Sequence, residues 1–135
     1  PAAQLALEDY LRLMDAMPLL DNENLHEFRK GAKKARYVAE SEEDDAAAQA
    51  IAKTVKKVQD AIGEWHDWVV VGEEAREALG NGGAALQAEL DRRAQLAFHR
   101  ALRVTAAAGG RLVGEWQAGH RPRRRPSRAA VSKTV

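Results

Sequence analysis

Seven residues between positions 26 and 37 carry groups suited to holding negative charge: His26, Arg29, Lys30, Lys33, Lys34, Arg36 and Tyr37. They lie in LHEFRKGAKKARYVAE, residues 25–40, a stretch rich in helix formers and free of proline. At about 100° per residue, His26, Lys30, Lys33 and Tyr37 fall within roughly 40° of one direction, with Arg29 and Arg36 flanking them within about 80°. Leu25, Phe28, Ala32, Ala35 and Ala39 point the other way, so one face packs and the other presents donors. Surface helices ordinarily alternate Glu with Lys so that i,i+4 pairs offset each other. Here Glu27 and Glu40 stand near the ends and five cations lie between them uncompensated. Such a face suits a multivalent anion. Cations at i, i+3/i+4 and i+7 supply a donor about every 5 Å. Arginine grips oxyanions bidentately, whereas lysine acts as a point charge. Tyr37 adds a neutral donor, and His26 adds a proton-dependent one beside the exposed N–H groups of the helix start. A run of Lys and Arg on a helix is ordinarily only a solvated face, so a second stretch has to support the reading.

The elements around this face all read as helices. Residues 3–17 repeat Leu5, Leu7, Leu11, Met14 and Met17 at helical spacing, and Pro18 ends that helix. Asp21, Asn22 or Asn24 can cap the next one. The cluster Ser41–Asp45 marks the following start, with Ser41 or an Asp as cap and carboxylates in the first turn. Residues 46–62 place Ile51, Val55, Val58 and Ile62 on one stripe. Gly63 is expected to interrupt this helix, which resumes over 68–79 and is closed by the glycines of GNGG at 80–83. The last helix is expected over 84–108, with Leu86, Leu90, Ala94, Ala97, Phe98 and Leu102 at core spacing. Gly109-Gly110 weakens it, although LVGEWQ extends it by a turn or two. No segment shows β alternation. The predicted fold class is all-α, an antiparallel bundle of four or more helices. On the third helix Lys53, Lys56 and Lys57 extend the cationic strip, and His66-Asp67 follows the Gly63 turn. Asp67 or Glu40 is suited to orienting a histidine or basic side chain.

With 135 residues the chain makes one domain with a real core. Its seven aromatic residues and abundant alanine favour closely packed helices. The absence of cysteine excludes disulfides and thiolate metal sites, and a reducing cytoplasm fits. No apolar run approaches the roughly 20 residues of a membrane span, and no signal peptide is evident. The start at Pro1, without methionine, reads as a fragment or trimmed chain. The net charge of +1 conceals a division of the chain into a body, 1–118, and a basic Pro/Arg-rich tail, 119–135. The body holds 15 basic and all 20 acidic residues, a net −5, while the tail holds six cations and no acid. A body that is acidic overall yet carries a wholly basic helical face is separating its charges.

Two motifs belong together: His26-x-x-Arg29-x-x-x-Lys33-Lys34-x-Arg36-Tyr37-x-x-Glu40, then Gln59-x-x-Ile62-Gly63-x-x-His66-Asp67 some twenty residues later. In this order and spacing they resemble the CHAD domain, the conserved histidine α-helical domain family, over roughly residues 3–110. The resemblance implies one of that family's two helical repeats, the second, and hence half of a two-bundle architecture. It implies inorganic polyphosphate as ligand, with His26, Arg29, Lys30, Lys33, Lys34, Arg36, Tyr37, Lys56 and His66 as binding residues and Glu40 and Asp67 as orienting ones. It also implies a homodimer or a missing N-terminal CHAD repeat to complete the groove, a CYTH domain on the parent chain, and a cytoplasmic location at polyphosphate granules. Lys34 and Ala35 depart from the family's Arg and Leu, and Gly31 stands mid-helix at a cost of up to about 1 kcal/mol relative to alanine.

Other classes fit less well. A metal-dependent phosphohydrolase would draw on His26, Glu40, His66, Asp67 and His99, but Lys30 stands where the second histidine of a zinc helix belongs. Nucleic-acid binding has the basic face in its favour, but no aromatic platform interleaves with the cations. A helical protein-interaction bundle would pair the basic helix with acidic segments such as Glu42–Asp45. The expected role is non-enzymatic binding, with no cofactor and no metal.

Overall fold

A computed structural model describes residues 1–119 of the chain. The domain boundary expected at 118/119 falls at the edge of the described residues, and the basic tail beyond Gly119 lies outside them. Four α-helices follow one another: α1 (Ala2–Ala16), α2 (Leu25–Glu40), α3 (Ala46–Leu79) and α4 (Ala84–Gly119), with a single 3-10 turn, Gly80–Gly83, between the last two. No strand occurs among the described residues, and no described helix is long and apolar enough to cross a membrane. Successive helices pack antiparallel: His26 and Arg29 lie beside His66 and Gln59, and Glu64 and Arg76 face Arg100 and Asp91.

Local chemistry sets the helix starts. The Asp21 carboxylate accepts from the backbone N–H groups of Glu23 and Asn24 at 2.8 and 2.9 Å, while Asn24 turns back to accept from the Asp21 N–H and to donate to the Leu19 carbonyl, each at 2.8 Å. Two of the three candidate caps therefore act as a pair. Asp45 caps α3, accepting from the N–H of Ala47 at 3.0 Å and more distantly from Ala48. The other acidic residues of the cluster do not enter the first turn of α3; they form the connection. There Ser41 Oγ donates to the Val38 carbonyl at 2.6 Å, and the Glu42 carboxylate accepts from the N–H of Ala2 at 2.8 Å, tying the start of α1 to the α2–α3 loop.

Gly63 does not interrupt α3, which is one continuous helix of 34 residues. A helix-interior glycine costs about 1 kcal/mol relative to alanine, and burial of Val58, Ile62 and Trp65 around it outweighs that. In the same way α4 runs through Gly109-Gly110 to Gly119. Gly109 is buried where Met14 of α1 crosses.

The buried side of α2 is Leu25, Phe28, Ala32, Ala35 and Ala39, the five positions that the periodicity places there. Tyr10 meets Phe28 edge-on, with ring centroids 5.8 Å apart. Three alanines on this face let α2 lie close to its neighbours. Gly31 has the same effect toward α1, because a methyl group there would come within 2.5 Å of Leu13 Cδ1. The main core ends near Trp68 on α3 and Ala97 on α4, so Leu86, expected inside, is half exposed, as is Leu5 on the outer side of α1. The Tyr10 hydroxyl is buried without a hydrogen-bond partner, and burial pushes its pKa well above the ordinary tyrosine range.

Two substitutions of opposite sign test this packing in urea melts. Phe28→Ala should cost about 3–5 kcal/mol. Tyr10→Phe keeps the ring contact and removes an unpartnered buried hydroxyl, so stability should hold or rise by about 1 kcal/mol.

Candidate functional site

With its apolar side buried, α2 turns His26, Lys30, Lys33, Lys34 and Tyr37 outward, while Arg29 and Arg36 lie half-buried on the flank toward α3. Both arginines are held by one residue. Arg29 Nε donates to the backbone carbonyl of Gln59 at 3.1 Å, and Arg36 Nη1 donates to the Gln59 side-chain Oε1 at 2.8 Å. Gln59 is 6% exposed, and a buried amide needs such partners. A carbonyl oxygen with two lone pairs can serve a helix hydrogen bond and a guanidinium together. Gly63 stands four residues on, and a Cβ there would lie 3.2 Å from Arg29 Nη2. Its missing side chain makes room for Arg29 and leaves the helix unbroken.

The face is less bare than its charge pattern predicts. Lys30 pairs with Glu27 at 3.3 Å, and Arg36 Nε lies 3.1 Å from Glu40 Oε1. The Lys30 pair is well exposed and contributes little. The Arg36–Glu40 contact is a charge pairing, since the Arg36 Nε–H does not point at the carboxylate and finds no hydrogen-bond partner. Lys33 and Lys34 make no ion pair among the described residues. The Tyr37 ring, 52% exposed, carries the Lys33 ammonium at 5.8 Å and the Arg36 guanidinium at 5.3 Å. Tyr37 therefore acts as a shelf for two cations as well as a donor.

His26 and His66 come together, their rings stacked with centroids 5.4 Å apart and 25° between planes. His66 reaches this position from the middle of a continuous α3. Of the two orienting residues, Glu40 does contact a basic side chain, Arg36, whereas Asp67 is exposed and makes no ion pair or hydrogen bond among the described residues. Lys56 is exposed on the outer ridge of α3 with Lys53 and Lys57. Among the described residues no group of three or more His, Cys, Asp or Glu side chains could hold a metal ion. The sequence reading assigned no role to Gln59. Its signal was an amide standing among the apolar residues Val55, Val58 and Ile62.

The arrangement offers two guanidinium groups seated by a buried amide, three lysines, a stacked histidine pair and one aromatic shelf on a single exposed face. Such a set of donors suits anionic oxygens. The family model described as CHAD domain matches residues 2–76, more than half of the chain. The chain belongs to the CHAD domain family. The match takes in α1, α2 and nearly all of α3, and with them every residue of the candidate site. No curated protein and no solved structure matches.

Gly63→Ala separates the stability of this CHAD domain from its anion chemistry. Removing an interior glycine should hold or raise the melting temperature, by up to about 1 kcal/mol of stability. The new methyl would stand 3.2 Å from Arg29 Nη2 and press it aside by a few tenths of an ångström, so affinity for tripolyphosphate, read by calorimetry, should fall. Full affinity in the variant would show that the Gln59 seat of Arg29 does not matter for binding.

Proposed function

We propose that this CHAD domain binds inorganic polyphosphate, without turning it over, on the exposed face of α2 and the adjoining turns of α3. One observation carries the reading: Arg29 and Arg36 are fixed on Gln59 beside the stacked His26–His66 pair, while Lys30, Lys33 and Lys34 stay exposed along the same helix. Polyphosphate carries roughly one negative charge per phosphate and presents oxygens continuously with no base to read. A row of donors at helical rise suits that repetition, the arginines gripping by geometry and the lysines following as point charges. His26 and His66 add imidazole N–H donors at one end, where the N-terminus of α2 also favours an anion. Glu40 sets Arg36, and Asp67 and Lys56 border the track on α3.

The alternatives have less support in the geometry. A single strand of nucleic acid needs open aromatic faces for its bases, and the Tyr37 ring is taken up by Lys33 and Arg36. In the family's two-repeat architecture the facing half of the groove comes from another repeat. A second copy of this chain or an N-terminal CHAD repeat would supply it here, and a CYTH domain on the parent chain would be a fitting neighbour.

The test is binding of long-chain polyphosphate, double-stranded DNA and heparin at two salt concentrations. Polyphosphate should bind most tightly. The Arg29→Ala/Lys33→Ala double variant, folded by circular dichroism, should bind it more weakly and with a log–log salt slope flatter by roughly one to two, as expected for two lost phosphate contacts. Wild-type affinity in that variant would refute the site.

A further inference from the structure

A second line of cations runs along α4. On a helical wheel Arg93, Arg100 and Arg111 fall within about 20° of one direction, with Arg103 about 80° away. These arginines border the seam between α3 and α4, which holds two concavities. One, of about 330 Å³, is walled by Glu64, Trp68, Arg93, Arg100 and Arg103. The other, of about 230 Å³, is walled by Thr54, Lys57, Val104 and Arg111. The far end of the seam is already satisfied. Arg93 donates to Glu89 at 3.1 Å and lies over the Trp68 ring at 5.2 Å, and Arg100 is 3.6 Å from Glu64. Hydrogen bonds from Arg92 and then Arg93 hold the Glu89 carboxyl down to about 2. Lys57 and Arg111, at the near end, make no ion pair among the described residues.

This near end connects to the face of α2. Going around α3 from Gln59, which holds both arginines of α2, Lys56, Lys53 and Lys57 follow at successive steps of about 60°, 60° and 40°. All three are exposed. They lie within about 9 Å along the helix axis of Gln59, and the last of them opens into the concavity of Arg111. The acids of the same ridge, Asp60 and Glu64, stand one and two turns further on, so the cationic crossing is confined to the first half of α3.

We propose that a long polyphosphate chain continues past α2, crossing α3 over Lys56, Lys53 and Lys57 and entering the α3–α4 seam at Arg111. The inference rests on the reading of α2 as a polyphosphate site and extends it to a length preference. A short chain is satisfied on α2, whereas a long one gains a second set of contacts, of which Arg111 lies beyond the matched family region. The occupant of the seam is the same anion, held by charge alone, because the near-end walls offer cations and no carboxylate.

The experiment compares tripolyphosphate with long-chain polyphosphate on the wild-type chain, on Lys57→Ala/Arg111→Ala, and on the charge reversal Lys57→Glu/Arg111→Glu. Circular dichroism confirms folding. The alanine pair should lose about tenfold in affinity for the long chain and flatten its salt slope by roughly one to two, the reversal should lose more, and neither should change tripolyphosphate binding. Unchanged long-chain affinity in both variants would overturn the crossing, as would equal losses for both probes. Arg29→Ala/Lys33→Ala, measured alongside, reports on the α2 reading separately. Should it leave tripolyphosphate binding intact, that reading fails, whatever the seam variants do.

Discussion

The contact of Arg29 and Arg36 with Gln59 joins the proposed anion site to the packing of this molecule. A buried amide without partners would destabilise the α2–α3 interface by about 1–3 kcal/mol, and two half-buried guanidinium groups would be costlier still. Placed together, one N–H of each guanidinium meets an oxygen of Gln59. The consequence for function is preorganisation. Arg29 and Arg36 are held on Gln59 by the fold itself, ahead of any ligand that the α2 face would take. Ordering two long side chains at the moment of binding would cost about 0.5–1.5 kcal/mol each, and here most of that ordering is built into the fold.

That contact requires α2 and α3 to lie close. Small residues make this possible: Ala32, Ala35 and Ala39 on α2 and Ala48, Ala52 and Ala61 on α3 are all buried. Larger side chains on both faces would move Gln59 out of reach of the arginines. Phe28 and Tyr10 fill the volume that the alanines leave on the α1 side. The absence of a Cβ at Gly63 completes the fit where Arg29 passes over α3. The alanine-rich composition is thus linked to function through interhelical distance.

Electrostatics follow the same division. The described body is acidic in sum, with acids on α1, in the first two connections and on the second half of α3, whereas on α2 between Glu27 and Glu40 and on α3 before Asp60 every charged residue is basic. The α2 face and the first half of α3 keep their cations. On the proposed reading a polyanion is drawn to these cationic faces and repelled elsewhere, so the charge pattern would supply orientation as well as affinity. Because the lysines are exposed, their share is screened by salt over about 8–10 Å, whereas the seated arginines add directional hydrogen bonds that screening affects less.

The bounds of α2, its buried five residues and its cationic face were all legible in the amino-acid sequence, because helical periodicity is a local property carried by residues three and four apart. The pairing of the two motifs was legible too, and with it the family. Gly63 was not. Its lack of a side chain reads locally as a break, and only the Arg29 side chain, 34 positions earlier in the chain, explains why a glycine stands inside an intact helix. Gln59 stands in the second motif, but its role was hidden for the same reason, since its partners are 30 and 23 residues away. Charges shared between Arg36 and Glu40 or Lys30 and Glu27 lie within one helix, yet whether they meet is a matter of rotamers set by the neighbouring packing. Periodicity assigns each residue to a side of its own helix. Which groups then touch across helices follows from how closely the alanine and glycine surfaces let the helices approach, and that distance belongs to the assembled fold.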